Sequence, residues 1–108
     1  MGDPEHPRIE DVTLQQIMHA LSDPVRLHIV AMAARQGEQP CQTFTQNIPK
    51  STASHHWKVL REAGLIYQRV EGTKKLNSLR KAELDRRFPG LLDAVLADLL
   101  NDAEGSAV

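Results

Sequence analysis

The segment Ser51–Leu65 constrains this chain most, because its pattern is that of an amphipathic helix with a defined end. Ser51 is a favourable N-cap, since its hydroxyl can accept a hydrogen bond from a free backbone N–H of the first turn. Gly64 suits the left-handed residue that ends a helix, and Leu65 is the apolar residue that commonly follows it. Apolar residues recur at i, i+4 and i+7, which predicts a buried stripe made of Ala53, Trp57 and Leu60.

The opposite face of this helix is polar and carries hydroxyl, imidazole and charged groups. Its members are Ser51, His55, Lys58 and Glu62, with Thr52 and Ser54 on the flanks. Short hydrogen-bonding side chains beside a cation suit contacts with DNA base edges and phosphates. The alternative is an ordinary solvated helix face, which is what most polar helix faces are.

A short basic hairpin is predicted directly after the helix. Leu65–Val70 and Lys75–Leu79 have strand composition, and Glu71–Lys74 is a glycine-containing turn. Basic residues near its tip, namely Arg69, Lys74 and Lys75, would serve as phosphate clamps. A surface hairpin with solubilising lysines is the alternative. A polar-faced helix that leads into a basic hairpin favours a DNA-reading helix with a wing.

Length and composition limit the classes of protein to consider. A chain of 108 residues forms one domain with a modest core, and an aromatic content of 4% favours helices built on aliphatic residues. The chain has no apolar run long enough to span a membrane and no apolar signal-peptide core near its N-terminus. A single cysteine excludes an internal disulfide and fits a reducing cytoplasm, so a cytoplasmic location is predicted.

Charge is distributed unevenly along the chain, although the net charge is only −1. Residues 50–75 contain six basic and two acidic residues, whereas residues 1–23 contain five acids and one base. Residues 88–108 contain four acids and no base. This asymmetry would orient the basic segment toward a polyanion and keep both ends of the chain away from it.

The other segments are predicted to be mainly helical. Helices are expected over 12–21, over 24–36 after an Asp23 cap with Pro24 in the first turn, over 42–47, over 80–87 and over 88–100. The predicted fold is mainly α (α+β): a winged helix-turn-helix with five to six helices and a two-stranded β-hairpin wing. We expect a flexible arm over 1–10, the folded domain over 11–102 and a flexible tail over 103–108.

The last helix is more apolar than one side of an isolated helix requires. A small core could absorb these residues, but a dimer interface is favoured because large exposed apolar patches are rarely tolerated. We therefore predict dimerisation through helices near both ends, about 11–21 and 88–101. A two-fold dimer would set two recognition helices roughly 34–36 Å apart, as successive major grooves require.

Three segments together resemble the ArsR family of winged helix-turn-helix transcriptional regulators. They are Ala20–Val30, Ser51–Leu65 and Arg69–Gly72, and the resemblance covers roughly residues 12–100. It implies a homodimer that binds double-stranded DNA at an inverted-repeat operator, usually as a repressor released by an effector. It also implies a dimer interface on the first and last helices, for which we predict Leu14, Ile17, Met18, Leu92, Val95, Leu96 and Leu99.

The same resemblance implies DNA contacts from the helix over 51–62 and from the wing. With the adjoining basic and turn residues, the predicted contacts are Lys50, Ser51, Thr52, Ser54, His55, His56, Lys58, Arg69, Thr73, Lys74 and Lys75. On a helical wheel, His56 lies nearer the edge of the core than His55 does.

The effector is not indicated by the sequence. The family's Cys-x-Cys metal motif is reduced here to Cys41, which is either a redox-sensitive thiol or a small residue packed beside Phe44. The last helix has only carboxylates, Asp93, Asp98 and Asp102, to which His6 and His19 from the other subunit would have to add nitrogen ligands for nickel or zinc. The alternative is that His6 is an ordinary tail histidine and His19 an ordinary helix-surface histidine.

No enzyme is predicted, because the chain lacks a nucleophile–base set, a phosphate loop and a metal motif of known spacing. No cofactor is established by the sequence. The remaining alternative from another functional class is a winged-helix protein-interaction module that keeps the fold without binding an operator.

Overall fold

The computed structural model describes residues 2–105, with the side chains of residues 2–99, and within them it has six α-helices and a small antiparallel sheet. The order is a 3-10 turn over Ile9–Asp11, α1 over Leu14–Leu21, α2 over Pro24–Gln36, β1 over Gln39–Pro40, α3 over Cys41–Phe44, α4 over Lys50–Glu62, β2 over Ile66–Glu71, β3 over Lys74–Leu79, α5 over Lys81–Arg87 and α6 over Leu91–Gly105. The predicted mainly helical fold with a hairpin wing is confirmed.

The first two helices have well-defined starts. The side chain of Thr13 caps α1 by accepting from the backbone N–H of Gln16, and the Gln16 side-chain oxygen in turn accepts from the backbone N–H of Thr13. Asp23 caps α2 as predicted, and its Oδ1 accepts from the N–H groups of Val25 and Arg26 at 2.8 and 3.1 Å. These hydrogen bonds to the charged form lower the pKa of Asp23.

The start of α4 differs from the prediction, whereas its end agrees with it. The helix begins at Lys50, and Pro49 occupies the N-cap position without a side-chain cap, so Ser51 is not the cap. At the other end, the N–H groups of Gly64 and Leu65 donate to the carbonyls of Arg61 and Leu60. This pair of bonds, with Gly64 at φ +79°, is the Schellman arrangement that a glycine permits.

The sheet has the strand order β1-β3-β2 and therefore one strand more than the predicted hairpin. Strands β2 and β3 pair from Ile66↔Leu79 to Glu71↔Lys74, so Gly72 and Thr73 form a two-residue turn. The added strand β1 is only two residues long. Such a short strand shows no alternation in sequence, and the prediction missed it for that reason.

One core joins all the helices and the base of the wing. Its fully buried members include Ile17 of α1, Ile29 and Val30 of α2, Leu60 of α4, Leu65, Ile66, Leu84 of α5 and Leu92 of α6. Trp57 is also buried and packs edge-on against Phe44, with ring centroids 5.7 Å apart. Its prediction as a core residue is confirmed.

Residues 2–10 make more contacts than the predicted flexible arm would. Asp3 Oδ1 accepts from the N–H of Val70 at 2.7 Å, and His6 Nε2 accepts from the N–H of Gln68 at 2.9 Å. The His6 ring also stacks on Tyr67, with centroids 4.3 Å apart. These N–H groups lie on the outer edge of β2, so the N-terminal segment covers an edge strand that would otherwise be open.

The C-terminal helix begins later and extends further than expected. It starts at Leu91, after Phe88–Gly90, and continues to Gly105, so the first half of the predicted tail is helical. Residues 106–108 of that tail lie outside the described residues. No helix in the described part of the chain is long and apolar enough to cross a membrane.

Candidate nucleic-acid interface

The outer face of α4 is exposed and polar along its first two and a half turns. Its solvent-exposed side chains are Lys50, Ser51, Thr52, Ser54, His55 and Lys58. The inner face buries Ala53, Trp57 and Leu60, as the apolar spacing predicted. The helix therefore presents hydroxyls, an imidazole and two cations to solvent on a scaffold that the core holds fixed.

The N-terminus of α4 is open to a ligand. The flanking Pro49 takes part through its backbone, since its carbonyl accepts from the N–H of Ala53 at 2.9 Å. Because no side chain caps this end, the first-turn N–H groups of Lys50, Ser51 and Thr52 are available. An uncapped helix start carries a partial positive charge and suits a phosphate oxygen.

His56 does not belong to this exposed face, although we predicted it as a DNA contact. Its side chain is buried, with 7% exposure, and its Nδ1 lies 3.2 Å from Nη1 of Arg26. The next residue toward the N-terminus, His55, is exposed. One position on a helix rotates the side chain by about 100°, which turns His56 toward α2.

The wing supplies cations from its tip but not from Arg69. Thr73, Lys74 and Lys75 are exposed, and neither lysine forms a salt bridge with a described acidic side chain. Arg69 instead donates from Nε and Nη2 to the two carboxylate oxygens of Glu38, both at 2.8 Å, and also pairs with Glu71 at 2.9 Å. The Arg69 guanidinium lowers the pKa of Glu38 and is itself neutralised by the pair.

A buried polar chain, which we did not predict, connects α4 to the wing. Arg61 Nη1 donates to Gln68 Oε1 at 3.0 Å, and Gln68 Nε2 donates to Asn77 Oδ1 at 2.7 Å. Gln68 and Asn77 are almost fully buried, and Asn77 Nδ2 lies 3.1 Å from Cys41 Sγ. The available signal was a glutamine on the inward face of β2, between the apolar residues Ile66 and Val70.

The predicted dimer residues fall into two groups. Ile17, Leu92 and Leu96 are at most 5% exposed and belong to the core of the protomer, so they are not free to contact a partner. By contrast, Leu14 and Met18 are exposed by 43% and 60%. Helical periodicity marks apolar residues but does not tell a protomer core from a subunit interface, and that accounts for the difference.

A shallow apolar groove continues this exposed surface. It runs between α1, α2 and α6 and is lined by Leu21, Leu27, Ala94, Val95, Asp98 and Leu99. The predicted interface residues Val95 and Leu99 are half-buried at its wall. Five of these six lining residues are apolar, and the groove faces solvent in a single protomer.

Two of the residues considered as metal ligands, His6 and Asp93, are engaged in other contacts. His6 Nε2 accepts a backbone hydrogen bond, and burial together with nearby Arg80 lowers the pKa of His6. Asp93 pairs with Lys81 at 3.1 Å, and the Asp102 side chain lies outside the described residues. No cluster of three metal-ligating side chains is found where the structure describes the chain. A nickel or zinc site that combines ligands from two subunits stays a prediction.

Cys41 begins the short helix α3 and is half-buried. Its sulfur accepts a hydrogen bond from the Asn77 amide nitrogen, and the Thr45 hydroxyl donates to its backbone carbonyl at 3.0 Å. A redox role for Cys41 stays a prediction.

Known proteins share both the sequence pattern and the fold. Residues 21–69 match the family model of a helix-turn-helix domain. The chain is 38% identical over 89 residues to YceK of Bacillus subtilis (strain 168), described as an uncharacterized HTH-type transcriptional regulator. That alignment covers 80% of this chain and 89% of YceK.

Two solved structures extend the comparison. The homodimeric winged helix-turn-helix DNA-binding domain of Mb0332 from Mycobacterium bovis, a possible ArsR-family transcriptional regulator, is 27% identical, with a TM-score of 0.64 and 82% of each chain covered. The transcriptional repressor BigR from Xylella fastidiosa is 28% identical, with a TM-score of 0.57, over 69% of this chain and 85% of that one. These relatives are transcriptional regulators and not enzymes, and with them this chain belongs to the ArsR family of winged helix-turn-helix transcriptional regulators.

Proposed function

We propose that this protein is a homodimeric repressor that binds an inverted-repeat DNA operator and responds to an effector. The observation that carries the proposal is the exposed face of α4, where Ser51, Thr52, Ser54 and His55 lie between the cations Lys50 and Lys58. The open helix start and the lysine-bearing wing tip extend this face.

The chemistry of the α4 face fits the DNA major groove. Hydroxyl and imidazole groups can donate to and accept from base edges, and the methyl group of Thr52 can contact thymine. Lys50 and Lys58 are placed to neutralise phosphates on either side of those bases. A protein-binding face has no general need for this combination of short polar groups and unpaired lysines.

The dimer is supported by exposed apolar surface on α1 and along the groove between α1, α2 and α6. Leu14 and Met18 of α1 are exposed to solvent, and Val95 and Leu99 line the apolar groove between α1, α2 and α6. A second copy would cover these residues by two-fold symmetry and hold two α4 helices for successive half-sites. The homodimeric Mb0332 domain and the repressor BigR support the same assembly and sign of regulation.

Fluorescence anisotropy tests the proposal with a labelled duplex from the region upstream of the protein's own gene. We expect tight binding of one dimer per site, with affinity that falls steeply as salt rises. Lys58→Ala and Lys74→Ala should each weaken binding and reduce the slope of log K against log salt by about 1, without loss of helicity. Lys81→Ala is the control, because Lys81 is paired with Asp85 and Asp93 on α5 and α6.

Two results would contradict the proposal. Unchanged binding by both lysine variants would mean that α4 and the wing tip are not the DNA-binding face. Binding no tighter than that of random duplex, for every duplex selected from a random pool, would favour the protein-interaction module. Once binding is established, the same assay screens metal ions, oxidants and small molecules for the effector.

A further inference from the structure

Arg26 is a buried cation that forms no salt bridge with any acidic side chain in the described part of the chain. Its side chain is 6% exposed and makes three contacts. Nε donates to the Ala20 carbonyl at 2.8 Å, Nη2 donates to the His19 carbonyl at 3.3 Å, and Nη1 lies 3.2 Å from His56 Nδ1. A charge buried to this extent is costly unless its donors are satisfied, so each contact is needed.

Two of the three partners belong to the end of α1. The last carbonyls of a helix have no partner within the helix and carry a partial negative charge. The guanidinium of Arg26 donates to two of these carbonyls, those of Ala20 and His19. The His19 carbonyl also accepts from the N–H and the hydroxyl of Ser22, so the Ala20 carbonyl is the one that depends on Arg26. The Arg26 backbone is fixed as well, because its N–H donates to the Asp23 cap of α2.

The third partner belongs to the recognition helix. A guanidinium can only donate, so His56 Nδ1 must be the acceptor and carry no proton. His56 lies one helical turn after Thr52, on the side of α4 that faces α2. The bond therefore adds a directional constraint on the rotation of α4, beside the packing of Ala53, Trp57 and Leu60, at the level of its exposed polar residues.

We propose that Arg26, through His56, is a positioning residue for DNA reading that touches no DNA itself. It connects the carbonyl end of α1, the helix with the exposed dimer residues, to the recognition helix α4. The bond thereby sets how α4 is rotated relative to the second copy of the chain. This inference rests on the proposed sequence-specific binding of DNA by a dimer.

The proposal predicts a loss of discrimination between DNA sequences rather than a general loss of affinity. Bidentate and close base contacts depend on geometry within about 0.5 Å and 10–20°. Phosphate attraction by Lys50, Lys58 and Lys74 is less sensitive to a small rotation, because point charges tolerate it. The ratio of specific to non-specific affinity is therefore the quantity to measure.

The experiment uses the full-length protein and a duplex selected by the wild type from a random pool, with a scrambled duplex of equal length. We expect Arg26→Met and His56→Leu each to lower the affinity ratio on the order of 10-fold, chiefly through the selected duplex. His56→Asn should keep most of the wild-type affinity ratio, since the asparagine amide oxygen replaces the Nδ1 acceptor. Lys58→Ala is the control, and it should weaken binding to both duplexes by similar factors.

The double variant Arg26→Met/His56→Leu separates positioning from a direct base contact by His56. If the two residues act through one bond, the double variant should lose no more than either single variant does. Additive losses, or an unchanged ratio in His56→Leu, would overturn the proposal. Melting temperatures accompany each variant, and Arg26→Lys, which cannot satisfy all three partners, replaces Arg26→Met if the latter does not fold.

Failure of the proposed function gives a different result from failure of this inference. If the wild type selects no sequence from the pool, DNA reading itself is absent and the positioning role falls with it. If the wild type selects a sequence and the variants keep its full preference, the regulator stands and only the role of Arg26 is overturned.

Discussion

Gly64 joins α4 to the wing, and its replacement by alanine should be strongly destabilising. At φ +79° a side chain is strained, at a cost of about 1–2 kcal/mol. An added Cβ would also overlap Val12 Cγ2 and lie 3.3 Å from Val12 Cγ1. Val12 is 1% exposed and cannot move into solvent, and overpacking of this kind costs about 1–3 kcal/mol.

The expected net effect on the free energy of unfolding is a loss of about 2–4 kcal/mol. This loss is smaller than the sum of the strain and overpacking costs. Alanine also restricts the unfolded chain, and that restriction offsets about 0.4–1 kcal/mol of the cost. For a domain of this size, Tm should fall by about 10–25 °C. The assay is thermal and urea unfolding followed by circular dichroism, at one fixed protein concentration because a dimer's stability depends on concentration.

Gly90 provides the matched control. It has φ +83°, yet nothing lies within 4 Å of a Cβ built at this position. Gly90→Ala should therefore cost only the backbone strain, about 0.5–1.5 kcal/mol after the unfolded-state offset. Val12→Ala combined with Gly64→Ala should lose less than the sum of the two single variants. Equal stabilities for the Gly64 and Gly90 variants would refute the steric argument.

Three further outcomes are expected. Glu38→Gln combined with Glu71→Gln should release Arg69 from both of its carboxylate partners, strengthen DNA binding several-fold and increase the salt slope by about 1. An unchanged slope in anisotropy would mean that Arg69 does not reach phosphate. The pKa of His6 in the folded protein is lowered below its unfolded value of about 6.5, so the stability that the His6 contact contributes is present above that pH and is lost as pH falls. The Gln68 amide resonance should shift over the same pH range in an NMR titration, because its N–H donates to His6. The same shift in His6→Ala would rule the contact out. Met18→Asp should give folded monomers by sedimentation with loss of operator binding, whereas persistent dimers would exclude α1 from the interface.

Local signals in the sequence predicted most of the elements. Asp23 with Pro24 marked the start of α2, and Gly64 marked the end of α4, because capping and left-handed residues depend on only a few neighbouring positions. Ala53, Trp57 and Leu60 marked the buried side of α4 for the same reason. The start of α4 was missed, since Pro49 ends the preceding turn and begins the helix without a side-chain cap.

Residues far apart in sequence decided the composition of the candidate site. Arg69 and Glu38 are 31 positions apart, and Arg26 and His56 are 30 apart. No local pattern records such a pair, because a cation's availability depends on which carboxylate the fold brings beside it. The sequence therefore identified basic residues correctly but could not show that Arg69 is neutralised.

The sequence by itself determined a helical winged fold, a polar-faced helix followed by a basic hairpin, and membership of a family of DNA-binding regulators. These follow from side-chain periodicity, turn chemistry and short motifs, all of which act over a few residues. Only the tertiary structure decided that Ile17, Leu92 and Leu96 lie in the core of the protomer while Met18 remains outside. Burial is set by what packs on each face of a helix, and the apolar spacing is the same whether that partner is the protomer's own core or a second chain.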